Sequence, residues 1–144
     1  QQSYTVPNAP NQLEPTGNGA WVMSLSHREF WRLQPEQKAV ASAMQGEALA
    51  AEVWPLYCQH SHAWLQLAGA PRAEVMATLC GIDLSHKEFP EGSVVQTQVA
   101  RVTSIIAHHA EGPEGVFSLF VDQSLAVYLW EALEDAITGF DCST

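Results

Sequence analysis

Apolar and polar residues alternate most cleanly between His62 and Leu67. Ala63, Leu65 and Leu67 fall on one side, His62, Trp64 and Gln66 on the other. A period of two predicts a strand that carries one large aromatic on its less apolar face. Gly69 ends it. Pro71 then stands at a tolerated first-turn position, Val75, Met76 and Leu79 repeat at helical spacing, and Gly81 follows as a stop, so a short helix is predicted between them. Ile82 to Gly92 reads as a loop containing Pro90. Ser93 to His109 is rich in Val, Thr and Ile and suits strands. It is divided near Ala100 and Arg101, where there is no strong turn signal, so one long bent strand is the alternative.

Glu111-Gly112-Pro113-Glu114-Gly115 is the strongest turn signal in the chain. Val116 to Val121 follows as a strand, and Asp122 or Ser124 caps the last helix. There Leu125, Leu129, Leu133 and Ile137 recur every four residues as one apolar stripe, and Gly139 closes the pattern. The order strand, helix, strand, strand, strand, helix predicts an α+β domain. The expected form is a ferredoxin-like, split βαβ layering of helices on an antiparallel sheet.

The first half is less regular. Ala20 to Ser26 predicts a short strand, Trp21, Met23 and Leu25 alternating with Val22, Ser24 and Ser26. His27 to Leu33 carries Phe30 and Trp31, and Pro35 opens a helical run through Ala50, weakened by Gly46. Residues 1–19 hold three Asn, three Gln, three Pro and two Gly with almost no apolar periodicity. They are expected to form an extended or disordered arm, leaving 20–144 as a single domain.

Composition narrows the function classes. Six Lys plus Arg stand against sixteen Asp plus Glu, a formal net charge of -10. Phosphate neutralisation needs cations, so nucleic acid and anionic membrane surfaces are poor partners. No apolar run reaches the length of a membrane span, and no basic start followed by an apolar stretch marks a signal peptide. Three cysteines, Cys58, Cys80 and Cys142, include no C-x-x-C pair and make a poor disulfide framework, so a reducing cytoplasm is expected.

Few residues suggest chemistry. His60 and His62 would share one face of a strand, while the adjacent His108 and His109 would face opposite ways. Neither pair comes with the further ligands that zinc requires, so no metal site is expected. Cys80 falls at a helix C-terminus, where the dipole disfavours a thiolate, and reads as a packed thiol. Glu131, Glu134 and Asp135 read as a solvated helix face. There is no G-x-G-x-x-G, P-loop or G-x-S-x-G. No catalytic or cofactor-binding residue is therefore assigned. The aromatics Trp64, Tyr128 and Trp130 are the candidate subunit-interface residues, because Trp and Tyr are enriched where surfaces meet partners.

Three stretches carry a family pattern. They are W-L-Q-L-A-G-A-P-R-A-E-V-M-A-T-L-C-G-I-D-L from Trp64 to Leu84, F-P-E-G-S-V-V-Q-T-Q-V-A-R-V from Phe89 to Val102, and F-S-L-F-V-D-Q-S-L-A-V-Y-L-W-E-A-L from Phe117 to Leu133. In this order they resemble the gamma subunit of heterotetrameric sarcosine oxidases, and Leu25 to Glu29 matches an early phrase of the same subunits. That family is similar in turn to the folate-binding domain of aminomethyltransferases. Gly92 and Thr97 match the lead-in to the folate site, but Val99 to Ile106 has none of the Asn, Gly or acid that serves folate there. Two departures stand out: the chain is shorter than the usual gamma subunit, and Ala70 is an extra residue between Gly69 and Pro71.

The resemblance implies a non-catalytic accessory subunit of a complex that demethylates an N-methyl amine. Its partners would be the larger alpha and beta flavoprotein subunits. Flavin and NAD would be held by those subunits, and tetrahydrofolate by a domain of alpha. A stand-alone folate or one-carbon binding protein is the alternative.

Overall fold

The structure, a computed structural model, describes residues 6–16, 19–34, 54, 56, 58 and 60–141. The helix expected from Pro35 to Ala50 lies outside the described residues, as does Cys142. Strand β4 (His62–Ala68), helix α1 (Arg72–Ala77), strands β5 (Val94–Val99), β6 (Val102–His109) and β7 (Val116–Asp122), and helix α2 (Ala126–Asp141) follow the predicted order. Four of these strands form an antiparallel sheet in the order β4-β7-β6-β5. The central β7 is buried along both faces from Val116 to Val121, hence its nearly unbroken apolar run. The fold is α+β.

Both helices cover one face of this sheet. Met76 from α1 and Leu129 and Leu133 from α2 pack on Val99, Ile106, Phe117, Leu119 and Val121. Leu129 is fully buried, and burial of such a side chain contributes about 1.5–3 kcal/mol. Of the predicted α2 stripe, Leu129 and Leu133 are buried, whereas Leu125 and Ile137 near its ends are more than one-third exposed.

The opposite face is covered by a second, three-stranded antiparallel sheet. It consists of β1 (Gln12–Pro15), β2 (Trp21–Ser24) and β3 (Phe30–Leu33) in that order. Leu13, Met23, Leu25 and Leu33 bury themselves against Val94, Ile105, Ala107 and Phe120. This corrects the expectation of an arm over residues 1–19, because Gln12–Pro15 is part of the folded domain. Its pairing is made by backbone groups. Gln12 to Pro15 register with Ser24 to Trp21, and β1 continues onto the start of β5 through Leu13 N–H to Gly92 O at 2.7 Å and Val94 N–H to Asn11 O at 2.9 Å. Leu13 alone in the strand is buried, so no apolar period marks it.

The long strand from Ser93 to His109 is a hairpin. Ala100 and Arg101 both adopt positive φ, 48° and 70°, which makes a two-residue I′-type connection between β5 and β6. Neither residue favours that conformation, so the sequence gives no turn signal. Tertiary contacts hold it: Ala100 N–H donates to Leu79 O at 2.8 Å, and Tyr128 Oη donates to Ala100 O at 2.9 Å.

Candidate functional site

The three aromatics singled out in the sequence do not form one surface. Trp64 lies on the sheet face covered by β1–β3. It packs against Phe120, ring centroids 5.5 Å apart, and donates from Nε1 to Ser118 Oγ at 2.8 Å. Its ring is therefore engaged within the chain. The face on which it sits looks less apolar in sequence because it also carries His62 and Gln66, yet a second sheet covers it. Tyr128 and Trp130 both lie on α2, about half exposed. At 3.6 residues per turn they are about 200° apart around the helix axis. Tyr128 is on the flank that meets the β5–β6 turn, and Trp130 is on the other.

Sequence reasoning missed the role of the histidines. His108 and His109 do face opposite ways, as extended backbone requires, but both are buried. His108 points into the helix layer. Its Nδ1 lies 2.8 Å from Phe89 O, and since a carbonyl only accepts, Nδ1 carries the proton. Nε2 is then free to accept from Arg72 Nη2 at 3.4 Å. Arg72 is itself buried. It donates to Gly69 O at 3.1 Å and to Glu114 O, and its guanidinium lies 5.0 Å from the centre of the Phe117 ring. The pair clamps the start of α1 to the β6–β7 loop.

His109 points into the space between the two sheets, 4.7 Å from the Trp21 ring. Its Nε2 lies 2.8 Å from Ser118 Oγ, the same oxygen that receives Trp64 Nε1. Nδ1 is 3.7 Å from Glu111 Oε2. The arrangement that fits these contacts has Trp64 donating to Ser118 and Ser118 donating to Nε2, which leaves the proton on Nδ1, a buried nitrogen that faces Glu111 without a hydrogen bond. Hydroxyl, imidazole and carboxylate follow one another as in a nucleophilic triad. An attacking hydroxyl must reach its substrate, and Ser118 is fully buried in the middle of β7. The network is a tie among three strands of the large sheet. The one signal for it in the sequence is a lone serine inside the apolar run of β7.

Burial pushes both imidazoles below their ordinary value of 6.5. For His108, the Phe89 carbonyl opposes that shift and Arg72 reinforces it; for His109, Glu111 opposes it and His108 reinforces it. Both are neutral side chains of the interior near pH 7. The other candidates are placed more simply. His60 precedes β4 and so does not share a strand face with His62. Cys80 is buried in the helix-side core and accepts a hydrogen bond from Ile82 N–H at 3.4 Å. Glu131, Glu134 and Asp135 are exposed on α2. Among the described residues no three His, Cys, Asp or Glu side chains converge on a point where a metal ion could sit. Among the same residues no helix is long and apolar enough to cross a membrane.

Comparison with known proteins agrees with this architecture. A family model described as the sarcosine oxidase, gamma subunit family matches residues 20–139. The chain belongs to that family. The match runs from just before β2 through nearly all of α2 and leaves out only β1 among the strands and helices described. No curated protein matches the sequence. Among solved structures, one chain of the heterotetrameric sarcosine oxidase from Corynebacterium sp. U-96, in complex with pyrrole 2-carboxylate, is similar with a TM-score of 0.79 and 25% identity. That similarity covers 94% of this chain and 68% of the other.

Proposed function

We propose that this chain is a non-catalytic accessory subunit of a flavin-dependent, sarcosine-oxidase-like complex that demethylates sarcosine or a related N-methyl amine. The observation that carries the reading is the match to the sarcosine oxidase gamma subunit family across residues 20–139. The similar chain in the Corynebacterium enzyme supports it, because that enzyme is a heterotetramer. In this reading the larger alpha and beta subunits hold flavin and NAD, and alpha holds the tetrahydrofolate that accepts the one-carbon unit. The complex works in the cytoplasm. The buried polar groups of this chain favour a structural role: in the Ser118–His109 tie and the Arg72–His108 clamp, the hydroxyl, both imidazoles and the guanidinium hydrogen-bond to the chain's own groups. Contact with the larger subunits is expected through exposed aromatic surface, to which Trp130 contributes more than Tyr128 or Trp64.

Purification from the native source tests this. The chain is expected to elute with a large flavoprotein that oxidises sarcosine or another N-methyl amine, and elution alone would overturn the reading. Calorimetric titration of the isolated chain with tetrahydrofolate is expected to show no binding. A saturable heat would favour the stand-alone one-carbon role instead.

A further inference from the structure

Helix α2 carries two apolar stripes. The first, Leu129 and Leu133, is spent on the sheet. The second runs through Val127, Trp130, Glu134 and Ile137, spaced i, i+3, i+7 and i+10, which places them in one row along the helix. Val127 is 69% exposed, Trp130 51% and Ile137 37%. Single exposed apolar residues are ordinary. Three in one row, with a tryptophan in the middle, make a contact surface of the kind that anchors protein partners.

Charge decides what can cover it. Glu134 interrupts the row, Glu131 borders it one turn beyond Val127, and α2 contains no Lys or Arg. Two copies of this chain packed through α2 would bring these carboxylates together, on a molecule that already carries a net charge of -10. Like charges brought together at an interface disfavour that pairing. A partner with an apolar strip and a cation would fit both features of the row.

We propose that Val127, Trp130 and Ile137 dock on a larger subunit of the oxidase complex. The complementary surface is an apolar strip bearing a Lys or Arg opposite Glu134. The inference rests on the accessory-subunit reading above and assigns the contact to one row of one helix. It separates Trp130, which faces the partner, from Tyr128, which faces the β5–β6 turn.

The test uses the complex purified through its flavoprotein, with activity and flavin absorbance identifying it, from cells carrying wild-type chain or the variants W130A, V127A and E134Q. The ratio of this chain to flavin is followed through dilution and salt series. W130A is expected to weaken retention at least about 10-fold. E134Q is expected to weaken it less and to flatten its salt dependence, because the attraction between two surface charges is screened by salt. The isolated variants should melt as wild type does. If wild-type chain is retained and W130A is retained equally, the docking row is overturned while the accessory role stands. If wild-type chain never accompanies the flavoprotein, the accessory role itself fails. A concentration-dependent dimer of the isolated chain that W130A abolishes would assign the row to a second copy. A large loss of melting temperature in isolated W130A would assign it to the chain's own packing. Either result overturns the proposal.

Discussion

His109 Nε2 and Ser118 Oγ lie 2.8 Å apart across neighbouring strands of the large sheet, and the same serine oxygen accepts the indole N–H of Trp64. One hydroxyl thus joins β4, β6 and β7 on the face covered by the small sheet. Removing it leaves an indole N–H and an imidazole nitrogen buried without partners. Ser118→Ala is expected to destabilise the chain by about 2–4 kcal/mol, since each orphaned group costs about 1–3 kcal/mol. Urea unfolding of the isolated chain measures this. Trp64→Phe combined with Ser118→Ala should cost less than the sum of the two single changes, because they share one hydrogen bond.

The β5–β6 turn is built from residues that disfavour it. Ala100 and Arg101 have positive φ, a conformation that Asn and Gly adopt more easily. The double change A100N/R101G is expected to stabilise the fold by about 1–2 kcal/mol, visible as a raised melting temperature. The contacts to Leu79 and Tyr128 use backbone atoms of Ala100 and should survive.

Tyr128→Phe removes the hydroxyl that holds the Ala100 carbonyl. The site is half exposed, so the expected loss is about 0.5–1 kcal/mol. Hydrogen exchange at the ends of β5 and β6 should quicken more than exchange in β4 or β7.

Stability should fall as the solution is acidified below about pH 6.5. His108 and His109 have folded-state values below their ordinary 6.5, mainly because burial disfavours the charged ring. Above 6.5 both are neutral in folded and unfolded chains, and their contribution is fully present. Below it the unfolded chain takes up protons that the folded chain refuses, and stability declines until the folded-state values are reached. Two such groups give a slope of at most about 2.7 kcal/mol per pH unit. Urea midpoints between pH 7.5 and 5 measure the slope, and His109→Gln should reduce it by about one proton.

Gly115 sits at φ 73° in the β6–β7 connection, and a β-carbon there would meet His108 Nε2 at 2.8 Å and His109 O at 3.2 Å. Gly115→Ala combines a disfavoured backbone conformation with a clash against a buried imidazole. The expected loss is about 2 kcal/mol or more, read by thermal melting.

Several parts of this molecule were legible in the sequence alone. The period-two pattern from His62 to Leu67, the Pro71-to-Gly81 bracket around α1 and the four-residue steps of α2 each record local backbone geometry and one buried face. The order of those elements was sufficient for the α+β class, and the stretches from Trp64 to Leu133 carried the family resemblance. The rest depends on long-range partners. Strand β1 pairs through backbone atoms and buries only Leu13, so its sequence looks like an arm. The Ala100–Arg101 turn is held by Leu79 and Tyr128 against the preference of its own residues. Trp64 reads as exposed from its neighbours, until a sheet built from residues 12–33 covers it. His108 and His109 are neutral because they are buried. Periodicity reports which side of an element is apolar, whereas what covers a polar side is decided by residues far away in the chain.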